Sequence, residues 1–258
     1  MASLASRARS LRHRVALALS ERIRWSRGPY REVPAGELEG LTAMRAARIA
    51  ALRERHGVAF ERRLGAATSL RNYEYLDLLD CAAAAGVPLG RAGGALCDVG
   101  CASFGYAAAL HAFFRPERLL GVDVEGYRLL RDGRSRIDHA RGYLADLPGA
   151  RFVVADYADM HEPADVITAW FPFVTEEALL AWRLPLSLLA PGRLFGRIRA
   201  NLAAGGSFVM VNHGRAEALA AFAWCDAVGL IRQGDWSGVG AFGGYRTLPP
   251  VVSVWRAG

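Results

Sequence analysis

Leu96-Cys97-Asp98-Val99-Gly100-Cys101-Ala102-Ser103-Phe104-Gly105 is a short apolar run that breaks into glycines and is followed by a helical pattern. A strand that ends this way lets backbone approach a ligand closely and turns N–H groups at the start of a helix toward it. Read as Gly100-x-Ala102-x-x-Gly105, the turn is a dinucleotide fingerprint with alanine at its middle glycine. Glycines also collect in tight turns for geometry alone, so the spacing needs support from its surroundings. Asp123 supplies some, because it ends the next apolar run, where a carboxylate can accept both hydroxyls of an adenosine ribose. The competing reading of Asp123 is an N-cap for the following helix, and Glu125 competes for either role.

Outward from this turn, short apolar runs alternate with helical patterns, which is the signature of a parallel sheet. Strands are expected at 95–99, 119–124, 151–155, 164–170 and 207–212, and a last one at 251–255. Helices are expected at 106–114, 127–146 and 216–228, with a helical or mixed segment across 176–202 that Pro185 and Pro191 interrupt. A glycine-rich loop from Gly234 to Gly244, carrying Trp236, Phe242 and Tyr245, reads either as substrate-facing or as a hairpin connection. Upstream, helices are expected at 35–55 and 73–85, the second ended by Gly86-Val87-Pro88. Residues 1–90 are therefore read as an N-terminal helical extension or cap over the site, and 91–258 as the α/β domain.

Residues 1–26 repeat Leu4, Leu11, Val15, Leu19 and Ile23 at helical spacing among Arg7, Arg9, Arg12, Arg14, Arg22 and Arg24. Such a helix either lies on a membrane or partner, or packs on its own domain; packing is the preferred expectation. The chain has 258 residues, is 52% hydrophobic and 22% charged, and so fits a folded domain and not a disordered one. All basic residues are arginine and the net charge is +7, which reads as coding bias and not as a nucleic-acid surface, since no basic patch interleaved with aromatics stands out. No uncharged run reaches spanning length and arginines interrupt any signal-peptide core, so a cytoplasmic location is expected. Cys97 and Cys101 lack partners at metal-ligand spacing, so no metal site is expected. The absence of lysine rules out a phosphate-loop motif, and no Ser-His-Asp arrangement can be read from the spacing.

Asp98-Val99-Gly100-Cys101 resembles the first motif of class I S-adenosylmethionine-dependent methyltransferases, with an acidic residue two before the first glycine. Further likenesses follow in order. Gly121-Val122-Asp123-Val124 is similar to the second motif, and Phe152-Val153-Val154-Ala155-Asp156 to the third-strand segment. Ala164-Asp165-Val166-Ile167 resembles strand four, and Asn201-Leu202-Ala203-Ala204-Gly205-Gly206-Ser207-Phe208 the glycine turn into strand five. The resemblance covers about residues 90–255 and extends to a bacterial branch of methyltransferase-like proteins without a well-defined substrate. It implies a Rossmann-like, doubly wound α/β sheet, mostly parallel with an antiparallel C-terminal strand, preceded by N-terminal helices.

It also implies S-adenosyl-L-methionine as cofactor, held by Asp98, Gly100, Ala102, Gly105, Asp123, Val124, Asp156, Tyr157 and Trp170. Phe171 and Phe173 are expected to face a small-molecule acceptor, and His213 is the candidate general base. Glu176, Glu177 and His111 are alternatives to it. The family's usual glycines two and four after the first are here Ala102 and Phe104; the Ala102 methyl is expected to take room beside the amino-acid portion of the cofactor and Phe104 to crowd or restrict the loop, both weakening cofactor binding. Two alternatives stand beside methyl transfer: a catalytically degenerate binding protein of the same fold, and a nicotinamide-dependent oxidoreductase, which leaves Asp98 unexplained.

Overall fold

A computed structural model of the chain describes residues 3–90, 93–242 and 248–258. Three helices come first: α1 (Leu4–Ile23), α2 (Ala43–His56) and α3 (Ala66–Ala84). The sheet then alternates with helices through β1 (Ala95–Val99), α4 (Ala107–Phe114), β2 (Arg118–Asp123), α5 (Arg136–Leu144), β3 (Ala150–Val154) and β4 (Ala164–Trp170). The second half runs through α6 (Glu176–Ala181), α7 (Pro191–Asn201), β5 (Leu202–Asn212), α8 (Gly214–Ala227), β6 (Leu230–Ser237) and β7 (Val251–Ala257). The seven strands lie in the order β3-β2-β1-β4-β5-β7-β6. The first five are mutually parallel, whereas β7 inserts antiparallel between β5 and β6. This is the Rossmann-like, doubly wound sheet with an antiparallel C-terminal strand.

Both faces of the sheet are covered, as parallel strands require. Side chains alternate between two cores along each strand. Val166 of β4 joins one core with α3 residues Leu76 and Leu79 and with α4 residues Ala109 and Leu110. Its neighbour Ile167 joins the other, with Phe195 and Ile198 of α7 and Phe222 of α8. Among the described residues no helix is long and apolar enough to cross a membrane.

Several expected elements differ, each for a local reason. The helix expected across 127–146 begins only at Arg136, because Ser135 and Asp138 close a capping box there and a Leu129–Ser135 bridge folds the preceding residues into a loop. The helix expected at 35–55 starts at Ala43, with the Thr42 hydroxyl accepting from the Arg45 N–H at 3.3 Å. α3 begins seven residues earlier than the sequence suggests, at Ala66. Gly234 and Trp236 were expected in a loop; they lie in β6, with a register shift between Arg232 and Gly234 that leaves Gln233 as the extra residue of a bulge. Gly243, Gly244 and Tyr245 of that expected loop lie outside the described residues.

The segment before α2 is bound to α5. The Ser26 hydroxyl donates to the Asp138 carboxylate, which also accepts the Arg27 N–H at 2.9 Å, and the Tyr30 N–H reaches the Asp138 carbonyl at 2.8 Å. Tyr30 stacks on His139 with ring centroids 4.0 Å apart. Gly142 permits this approach, because a Cβ there would stand 1.8 Å from the Tyr30 carbonyl oxygen. Gly142→Ala, which ordinarily favours a helix, is expected to destabilise this protein by about 1–3 kcal/mol in urea unfolding. A neutral or stabilising result would show that the segment yields at no cost.

Candidate functional site

At the carboxyl ends of β1, β2 and β4 lies a cavity of about 210 Å³, where open α/β sheets hold ligands. One wall is the turn after β1, with Gly100, Cys101 and Ala102. Asp123 ends β2 with Val124 and Glu125 after it, Asp156 and Tyr157 follow β3, and Trp170 ends β4 with Phe171 through Phe173 after it. Tyr75 of α3 and Tyr106 close the back, while Leu179, Trp182, Leu184 and Leu188 cover it from the segment across α6.

The turn after β1 keeps a glycine-like shape without the glycines. Gly100 has φ 74°, and Ala102 and Phe104 take φ 53° and 54°, a region that disfavours L side chains. The amides of Gly100 and Cys101 bind the Val122 carbonyl at 2.8 and 3.2 Å, and that of Phe104 binds the Cys101 carbonyl at 2.8 Å. Phe104 does not crowd the cavity: its ring is fully buried and lies over Gly121, where a Cβ would meet it at 2.4 Å. Phe171, after β4, also has positive φ, at 58°. Two strained residues, Ala102 and Phe171, thus border one cavity, a clustering that accompanies functional sites.

Asp123 is nearly buried and binds both sides of the mouth. Its carboxylate accepts the Ala102 N–H at 2.8 Å and the Glu125 N–H at 2.7 Å, with an Arg136 nitrogen at 3.5 Å. Burial raises its pKa, against the opposing pull of Arg136 and the two amides. Glu125 is buried beside it and pairs with Arg128 at 2.8 Å and Arg136 at 2.9 Å. The Asp156 carboxylate accepts the Ala158 N–H at 2.9 Å, capping the short turn at Tyr157–Asp159. The Tyr157 hydroxyl accepts from Asn201 at 3.2 Å. The rings of Tyr75, Tyr106 and Trp170 pack together, with Tyr75 4.2 Å from each of the other two. Trp170 Nε1 is buried and has no hydrogen-bond partner among the described residues. A buried N–H left in this way calls for an acceptor.

The structure brings Gly100, Ala102, Asp123, Val124, Asp156, Tyr157, Trp170, Phe171 and Phe173 to this one cavity. Three other candidates stand apart from its wall. Asp98 is fully buried behind Tyr106, whose hydroxyl donates to it at 2.6 Å, and Thr168 also donates to its carboxylate. Gly105 faces Tyr143 and Arg71, and its carbonyl accepts from Asn72 at 2.8 Å. The other end of the Asn72 amide accepts the Ala109 N–H at 2.9 Å, so the amides at the start of α4 are partly satisfied from α3 and not all presented to a ligand. His213 is exposed and stacks on Phe171 with centroids 3.7 Å apart.

Sequence reasoning assigned no role to Arg136 or Trp182, which line the cavity 5.7 Å apart in a cation–π contact. The Ser135-x-x-Asp138 spacing was a legible helix start that places Arg136 at the first turn; nothing local marks Trp182.

No protein-family model matches the chain, and no curated protein matches it significantly. Solved structures do share the fold. A chain from the complex of the Haloferax volcanii Trm112 methyltransferase activator superposes with a TM-score of 0.50 at 15% identity, over 83% of this chain and 95% of that one. A TehB-like SAM-dependent methyltransferase from Corynebacterium glutamicum gives 0.48 at 17% identity, over 83% and 97%. The ribosomal protein L11 methylase of Lactobacillus delbrueckii subsp. bulgaricus gives 0.47 at 13%, over 71% and 78%.

Ala102→Gly should raise stability by roughly 0.5–1 kcal/mol, as relief of the left-handed alanine exceeds the added chain entropy. Phe104→Gly, at the same φ, should lower stability by about 2–4 kcal/mol because the ring over Gly121 is lost. Like signs in denaturant titrations would contradict this account. Burial holds the Asp98 carboxyl up at about 7, with Thr168 and Tyr106 opposing the rise. The folded state then keeps a proton that the unfolded chain releases, so this group's stabilisation is present at low pH and lost as pH rises from roughly 4 toward 7. Asp98→Asn should flatten that slope in thermal unfolding; an unchanged slope would mean that Asp98 titrates as it does unfolded.

Proposed function

We propose that this chain is an enzyme that binds S-adenosyl-L-methionine and transfers its methyl group to a small-molecule acceptor. The observation that carries the reading is the convergence on one cavity of Gly100, Asp123, Asp156 and Trp170, at the strand ends where this fold holds its ligands. The residues fit such a group. Asp123 sits where a ribose diol needs an acceptor, and the buried Trp170 N–H awaits one of its own. Tyr75, Tyr106 and Trp170 give the cavity an aromatic wall that suits a sulfonium cation.

When bound, the cofactor supplies a methyl group already activated on sulfur, so the protein's part is chiefly placement. Asp123 and Asp156 orient the nucleoside end. The aromatic wall and the Leu179–Leu188 cover exclude water and favour an acceptor with substantial apolar surface. His213 is separated from the cavity by the Phe171 ring on which it stacks, so it acts on Phe171 more directly than on an acceptor. An acceptor that reacts from its unprotonated form suits this site best.

Calorimetric titration with S-adenosylhomocysteine should show saturable binding, and NADH none. Trp170→Phe keeps an aromatic ring but deletes the N–H and the pyrrole part of the indole, and should weaken binding roughly three- to tenfold. Asp123→Ala should weaken it by tenfold or more, with circular dichroism reporting whether the turn still folds. Binding of NADH alone would overturn the methyl-transfer reading in favour of the nicotinamide alternative. Binding of neither would leave a degenerate member of the fold.

A further inference from the structure

The helix α1 docks in the reverse of the usual sense. An amphipathic helix on a globular protein turns its oily stripe inward. Here the half-buried positions are Ser6, Ser10, His13, Leu17 and Ser20, a largely polar stripe at helical spacing. That stripe is fastened to the segment after α6: the Ser10 hydroxyl accepts the Leu186 N–H at 2.9 Å, and His13 Nδ1 lies 3.2 Å from the Leu184 carbonyl. The oily stripe is left in solvent, with Leu4 86%, Leu11 53%, Val15 52%, Leu19 52% and Ile23 65% exposed. Arg7, Arg14 and Arg22 are exposed beside it, while Arg9, Arg12 and Ile23 border a groove between α1 and the body of the protein, and Glu21 is the helix's one acid. Just past the helix, Trp25 is 48% exposed, with its indole N–H on the Gly133 carbonyl at 3.1 Å.

We infer that the outward face of α1 is a docking surface for an anionic lipid bilayer. Leu4, Leu11, Val15 and Leu19 on one side of the helix, with long-stemmed arginines beside and among them, suit the boundary between acyl chains and anionic headgroups. A second copy of the chain is a poor occupant, because the same face would set arginines against arginines. RNA is a poor one too, since the stripe is aliphatic and offers no row of rings for bases to stack on. The inference stands on α1 alone and does not depend on the reaction proposed above.

Co-sedimentation of the full chain with phosphatidylcholine vesicles, with and without phosphatidylglycerol, tests it. Binding is expected only to the anionic vesicles and should weaken as salt rises. The double variant Leu11→Gln, Val15→Gln should lose roughly tenfold or more of the bound fraction's partition coefficient. Both side chains face solvent, so its far-UV circular dichroism and thermal midpoint should match the parent. Absence of vesicle binding, equal binding to neutral vesicles, or a double variant that sediments like the parent would each overturn the assignment. So would a parent that dimerises or retains RNA through this face while ignoring vesicles.

Discussion

The buried carboxylate of Asp123 organises the mouth of the sheet. A charge out of water must be met by donors at close range, or it costs several kcal/mol. Here the donors are the Ala102 and Glu125 amides, with Arg136 alongside. To deliver them, the turn after β1 must fold toward the end of β2, and α5 must begin where Arg136 can reach. One side chain thereby fixes the relative positions of two loops and a helix terminus. The cavity lies in the space they enclose, which explains why its polar groups are already oriented.

That geometry has a backbone cost, met by packing. Ala102 and Phe104 hold left-handed conformations that glycine would adopt freely. Phe104 is retained there because its ring fills the space over Gly121 and meets Tyr106 edge-on at 5.7 Å. Tyr106 in turn donates to Asp98 and stands between that carboxyl and the cavity. The departure from a glycine-rich turn is therefore a repacked version of the same loop, with the bulky residue turned into the core and not toward a ligand.

The N-terminal helix shows how far amphipathicity carries a prediction. Its period is evident, and packing on the domain is the preferred expectation; the helix does meet the domain, but through serines, His13 and Leu17 and not through the stripe of Leu4, Leu11, Val15 and Leu19. Periodicity reports that a helix has two faces. Which face meets the protein depends on what the protein offers, and here that is the backbone of residues 184–186, which pairs with hydroxyl and imidazole groups.

The sequence by itself determined the positions of most strands and part of the cavity wall. β1 and β4 begin and end where alternation and glycine place them, and Asp123, Asp156 and Trp170 sit at strand ends that apolar runs mark out. These signals are local, carried by residues a few positions apart. Only the tertiary structure decided that Asp98 is sealed behind Tyr106, that His213 meets Phe171, and that Tyr75, Arg136 and Trp182 join the site. Each of those facts is a contact between distant segments. It depends on how helices settle on the sheet and which buried group claims which donor, and no window of sequence contains both partners.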